Sequence, residues 1–114
     1  MIAVRRGDVV VASLDPTIGV EIKKTRPVIV LSNDCINHYG QLVAVVPLTK
    51  NTGHISPSHT VLPKGVASLA FASKAVTEQV KAVDKTRIVK RLGTLPAPLL
   101  AQVEQALKNT LGLR

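Results

Sequence analysis

The chain has 114 residues, 46% of them hydrophobic, at a mean hydropathy of +0.25, which suffices for one core and not for two, so a single domain over residues 1–114 is expected. Fifteen Lys and Arg against seven Asp and Glu leave a net charge of +8 and a pI of about 10.2, a balance that points to a polyanionic partner, most economically nucleic acid. Tyr39 and Phe71 as the sole aromatics argue against a binder built on stacking platforms, the lone Cys35 excludes an intrachain disulfide or a multi-cysteine metal site, and no apolar run reaches the roughly 20 residues of a spanning helix, so a soluble, cytoplasmic protein is expected.

In chain order, the β-branched run over residues 8–12, bounded by Gly7 and Asp15-Pro16, predicts a buried strand. A polar loop over residues 15–25 follows. Residues 26–32 form the second strand, with Pro27 at its start because proline cannot donate to a central ladder. Residues 33–40 are turn-like with room for one helical turn, residues 42–46 form a third strand stopped by Pro47, and residues 49–58 form a second polar loop. A short strand over residues 59–62 leads to the turn Pro63-Lys64-Gly65; residues 66–72 fit either strand or helix. Alternation over residues 73–83 predicts one strand, and residues 87–92 another, ended by Gly93. Leu99, Leu100, Val103, Ala106, Leu107 and Leu111 recur at helical spacing, with Pro96 or Pro98 suited to the first turn and Gly112 to the C-cap. Several short strands followed by one helix predict a small, strongly curved barrel with the helix packed across it.

Charge is densest over residues 19–27, a loop that opens onto a strand through Arg26-Pro27. A strand-end arginine is held more firmly than one at a loop tip, and such positions suit function, although charge runs are commonly only solvated surface. Pro47-Leu48-Thr49-Lys50 ends a strand in a hydroxyl followed by a cation; hydroxyls bind phosphate oxygens, but a threonine there also serves as a plain turn residue. His54 and His59 are close in sequence, yet nothing in the pattern fixes their separation, and His38 stands alone. There is no Gly-rich phosphate loop, no HExxH segment and no metal-spaced acidic cluster, so neither metal nor cofactor is expected.

Taken in order, Arg6-Gly7-Asp8-Val9-Val10, Leu14-Asp15-Pro16-Thr17, Gly19-Val20-Glu21 through Arg26-Pro27-Val28-Ile29-Val30-Leu31-Ser32, Val45-Val46-Pro47-Leu48-Thr49, Glu78-Gln79-Val80-Lys81-Ala82-Val83-Asp84, and Arg91-Leu92-Gly93-Thr94-Leu95 resemble the MazF/PemK family of toxin endoribonucleases. The resemblance covers nearly the whole chain. It implies a mainly β, SH3-like barrel of five to seven short strands with a C-terminal helix, a homodimer, an acidic antitoxin partner, and metal-independent, sequence-selective cleavage of single-stranded RNA that inhibits translation and growth. It carries the family's arginine and threonine onto Arg26 and Thr49 and its loop glutamate onto Glu21. The segment over residues 66–74 is longer and richer in alanine than the family pattern.

The chemistry follows from RNA itself. The 2′-hydroxyl lies beside the scissile phosphate, so attack is intramolecular and needs chiefly orientation. The protein supplies stabilisation of the extra negative charge, removal of the 2′ proton and a proton for the leaving oxygen. Arg26 can fork two donors onto phosphate and Thr49 can add a hydroxyl. An arginine with pKa above ~12 is a poor base, and Glu21 fits either a base or a structural ion pair, so the base stays open. Lys23, Lys24 and Lys50 are expected on the RNA path, ahead of Lys81, Lys85, Arg87, Lys90 and Arg91. The expected products are a 2′,3′-cyclic phosphate and a 5′-hydroxyl. Two competing readings are a CcdB-like gyrase poison of the same fold and an inactive RNA- or antitoxin-binding module.

Overall fold

The computed structural model describes residues 2–16, 18–22 and 24–114. Seven strands form one antiparallel sheet: β1 (Asp8–Ser13), β2 (Thr25–Val30), β3 (Leu42–Thr49), β4 (His59–Leu62), β5 (Ser73–Val76), β6 (Lys81–Asp84) and β7 (Ile88–Thr94). Helix α1 (Asp34–Tyr39) links β2 to β3, and helix α2 (Ala97–Leu111) closes the chain. The strand order is β4-β5-β3-β2-β1-β7, with β6 on β3. The sheet is strongly curled but not closed into a ladder-complete barrel, since β7 and β4 are its two ends.

Both faces of the sheet are apolar, which explains why β1 and β2 read as continuous hydrophobic runs. Val10, Val28, Val30, Val43, Val45 and Val83 pack on one side. Val9, Ile29, Val46, Leu48 and Leu62 pack on the other, where α2 lays Val103 against them. Asn33 caps α1, its side chain accepting from the Ile36 N–H at 2.9 Å. Helix α2 begins after Pro96 and ends at Gly112, whose φ of 69° and N–H bonds to the Asn109 and Lys108 carbonyls make a left-handed cap. The stripe holds through Leu107, which packs against the core, but Leu111 is 51% exposed.

Three expectations are corrected. Pro47 does not stop β3, which runs on to Thr49. On one edge β3 pairs with β6 through Val45 and with β5 from Leu48, so Val46 and Pro47 fall in a gap where that ladder is already interrupted and proline is tolerated. The single strand over residues 73–83 is two strands separated by a 3₁₀ turn, Thr77–Gln79. Buried Thr77 explains the break: its hydroxyl donates to the Ser58 carbonyl at 2.6 Å and meets Thr110 Oγ1 of α2 at 2.6 Å. Gly93 lies inside β7 rather than beyond it, because the Ala67 backbone crosses there so closely that a Cβ would meet it at 2.9 to 3.1 Å. The undecided residues 66–72 form a short 3₁₀ turn, Val66–Ser68, and then irregular backbone. No helix among the described residues is long and apolar enough to cross a membrane.

Candidate active site

Arg26 and Thr49 lie on neighbouring strands. The ladder between β2 and β3 pairs Val30 with Val45, Ile29 with Val46 and Val28 with Pro47 and ends there; beyond it Arg26 pairs with Ala12 of β1 and Thr49 with Lys74 of β5. Both line one cleft of about 440 Å³. Its floor is laid by Val11, Pro27 and Leu48, with Pro27 opposite Val11 and Val11 opposite Lys90 in the ladders of β1. Among the described residues of this lining the cations are Arg26, Lys50 and Lys90, and none is Asp or Glu. Positive charge with low-dielectric walls and no internal carboxylate attracts an anion.

Thr49 Oγ1 accepts the Asn51 N–H at 3.2 Å, which occupies a lone pair and leaves the hydroxyl proton for an acceptor in the cleft. Asn51 in turn accepts the Gly53 N–H at 3.2 Å, stitching the turn after β3. Opposite Thr49, Lys74 of β5 is only 8% exposed, and its Nζ donates to the His54 carbonyl at 2.7 Å, tying down the loop beyond. These contacts hold the strand-end hydroxyl between two fixed neighbours.

The other expected residues are dispersed. Glu21 is exposed and lines a separate cleft of about 270 Å³ with Gln79 and Lys81; the Ile22 N–H, donating to Gln79 Oε1 at 2.6 Å, anchors the loop there. Lys24 is exposed and outside the Arg26 cleft, its N–H donating to Asp15 Oδ1 at 3.0 Å. Lys23 lies outside the described residues. Lys50 lines the cleft, with Nζ 4.4 Å from the centroid of the Phe71 ring. Lys90, ranked low from sequence, lines it too, and so does Phe71, which composition had set aside. Neither carries a local signal: strand pairing brings Lys90 in, and the irregular loop before β5 delivers Phe71.

The histidines stay apart from the cleft. His59 accepts the Ser56 N–H at Nδ1 (3.1 Å) and donates from Nε2 to Glu78 at 2.9 Å, a structural pairing at the start of β4. Arg91 pairs with buried Asp8, Nε to Oδ2 at 3.2 Å, and so is committed to structure. Among the described residues no group of three or more His, Cys, Asp or Glu could hold a metal ion.

Residues 5–111 match the model of the PemK-like, MazF-like toxins of type II toxin–antitoxin systems. The chain belongs to that family. Among relatives in the toxin family, it is 34% identical over 114 residues to the endoribonuclease MazF9 of Mycobacterium tuberculosis, covering 96% of this chain and 97% of the relative. It is likewise 34% identical over 111 residues to the endoribonuclease MazF of Staphylococcus epidermidis, covering 96% and 92%. Its fold is that of MazF from Deinococcus radiodurans, with a TM-score of 0.86 at 24% identity over 99% of this chain and 100% of that one. It is also that of a mycobacterial endoribonuclease solved in complex with its cognate antitoxin, with a TM-score of 0.81 at 20% identity over 98% of each chain.

Proposed function

We propose that this toxin is an endoribonuclease that cuts single-stranded RNA at selected sequences without a metal ion, and that it stops translation and growth when its antitoxin is absent. The observation that carries the reading is that Arg26 and Thr49 line one cationic cleft with no carboxylate among its described lining residues. The endoribonuclease relatives at 34% identity support the activity. The structural neighbour solved in complex with its cognate antitoxin supports an antitoxin as protein partner. The acting form is a homodimer of a single domain, residues 1–114, working in the cytoplasm.

RNA lies with a phosphodiester in the cleft. The substrate's 2′-oxygen attacks the adjacent phosphorus, the bond to the 5′-oxygen breaks, and the chain ends are a 2′,3′-cyclic phosphate and a 5′-hydroxyl. Arg26 presents a fork of donors to the non-bridging oxygens, where charge grows during the reaction. Thr49 adds its hydroxyl donor, freed for this by the Asn51 N–H it accepts. Lys50 and Lys90 hold the flanking phosphates electrostatically, with Lys23 and Lys24 on the approach. The 2′ proton passes to water or, where the RNA spans from this cleft to the separate one lined by Glu21, to that carboxylate, and the 5′-oxygen takes a proton from water as its bond to phosphorus breaks. The pH–rate profile of Glu21→Gln separates these: loss of the acidic limb assigns the carboxylate, and an unchanged profile assigns water.

The reading is tested by incubating a complex RNA pool with the protein in EDTA and sequencing the new ends, with Arg26→Ala as control. The expected result is cutting at one short sequence by the wild type and none by the variant. Intact RNA together with inhibition of DNA gyrase would replace this reading with a gyrase poison. Tight RNA binding without products would make the protein a binding module.

A further inference from the structure

Phe71 is 56% exposed and lines the cleft of Arg26 and Thr49, with the Lys50 ammonium 4.4 Å from its ring centroid. The segment carrying it is secured on both sides. Before it, Leu69 is 3% exposed in the core, and its carbonyl accepts the Gly65 N–H at 2.8 Å. After it, the Ser73 hydroxyl donates to the Phe71 carbonyl at 2.9 Å, and Ser73 pairs with Leu62 in the sheet. Ala67 and Ser68 keep φ values of 49° and 62°, and the Ala67 backbone packs against Gly93, an arrangement costly for residues with a Cβ that persists only where the surroundings impose it. The result is a large, exposed apolar ring held in a cationic cleft instead of in the core two residues away.

We propose, on the endoribonuclease reading above, that Phe71 is a base platform: the nucleobase next to the scissile phosphate stacks on its ring. Every base has a π-face, so a single ring adds affinity and position without reading an edge. Lys50 covers one face of the ring, and the base takes the other. The same ammonium then lies within reach of the adjoining phosphate, so ring and cation grip one nucleotide by its base and its charge. The irregular backbone leading into β5, within the alanine-rich segment of residues 66–74, is the element that brings this grip to the site. Phe71 is a positioning residue and touches no reacting atom.

The test uses the full-length protein and a short oligoribonucleotide of the sequence that the wild type cuts. Phe71→Ala and Phe71→Leu, matched to wild type by circular dichroism and oligomeric state, are expected to raise KM about tenfold or more, the loss of one base stack, with kcat nearly unchanged. Phe71→Trp is expected to restore KM. The chain holds no other tryptophan, so binding of a non-cleavable 2′-deoxy analogue is expected to quench its fluorescence. An abasic site flanking the cut is expected to weaken the wild type and leave Phe71→Ala no worse. Wild type that cuts RNA while Phe71→Leu retains its KM overturns the proposal alone, as does a tryptophan quenched by antitoxin but not by RNA. Wild type that cuts no RNA overturns the endoribonuclease reading as well.

Discussion

Arg26 of β2 and Thr49 of β3 line one cleft, each just past the end of the ladder that joins their strands at Val28 and Pro47. Arg26 is paired with Ala12 of β1 and Thr49 with Lys74 of β5, so both donors are carried on paired strands rather than on a loop that must close around substrate. Replacing Arg26 with Ala is expected to lower kcat/KM at least a hundredfold, the scale of losing a donor to developing charge. Arg26→Lys keeps the charge but loses the fork and is expected to recover less than a tenth of the activity. Single-turnover cleavage of a short oligonucleotide measures both.

Thr49→Val removes the hydroxyl while keeping the shape and is expected to cost about tenfold to a hundredfold in kcat. Thr49→Ser preserves both the donor and the acceptor for the Asn51 N–H, and is expected to stay within a few-fold of wild type. Equal losses in the two variants would show that the packing of the γ-methyl, rather than the hydroxyl, is what Thr49 supplies.

Gly93→Ala places a Cβ 2.9 Å from Ala67 Cα and 3.0 to 3.1 Å from its carbonyl group. Backbone atoms cannot swing aside as a side-chain tip can, so β7 or the loop must shift. A loss of about 1–3 kcal/mol in urea unfolding is expected, the scale of overpacking. Because that loop carries Phe71, KM is expected to rise as well.

Thr77→Val removes a buried hydroxyl bound to the Ser58 carbonyl and to Thr110. The Ser58 carbonyl retains the Thr77 N–H at 3.2 Å, so the expected cost is about 1–3 kcal/mol, with α2 loosened from the turn between β5 and β6. Hydrogen exchange at the C-terminal half of α2 checks the location of the effect.

Asp34 and Asp84 are held below the ordinary carboxylate value of 3.8, Asp34 first by the Arg6 backbone N–H and then by the Asn37 amide, Asp84 first by the Thr86 N–H and then by its hydroxyl. A depressed folded-state pKa means that the unfolded chain binds the proton more readily. The stabilisation these groups give is therefore present above pH 3.8 and lost as pH falls through their folded values. Carboxyl NMR titration is expected to place both midpoints below 3.8, and Asp34→Asn to flatten the acid limb of the stability curve.

Most strands and the C-terminal helix were legible because each rests on local chemistry, β-branched runs and a 3.6-residue stripe, whereas Arg26 and Thr49 were singled out by the family resemblance and are brought to one cleft by the sheet. What was illegible depends on partners distant in sequence. Pro47 reads as a stop until β3 is seen to change partners beside it. The alternation over residues 73–83 continues through Thr77 although the backbone turns there to meet Ser58 and α2. Lys90 reaches the cleft only because β7 pairs with β1, and Phe71 because a loop of unusual backbone is wedged against Gly93. Glu21 shows the opposite case, being close to Arg26 in sequence yet lining a different cleft.

The central claim is that substrate RNA supplies its own nucleophile at a site formed by Arg26 and Thr49. Its most direct measurement compares an oligoribonucleotide with the same strand carrying one 2′-deoxy nucleotide at the cut position, both in EDTA. The account predicts that the first is cut to a 2′,3′-cyclic phosphate and a 5′-hydroxyl while the second stays intact though still bound. Cleavage of the deoxy-substituted strand at an undiminished rate, or products ending in a 5′-phosphate, would contradict it.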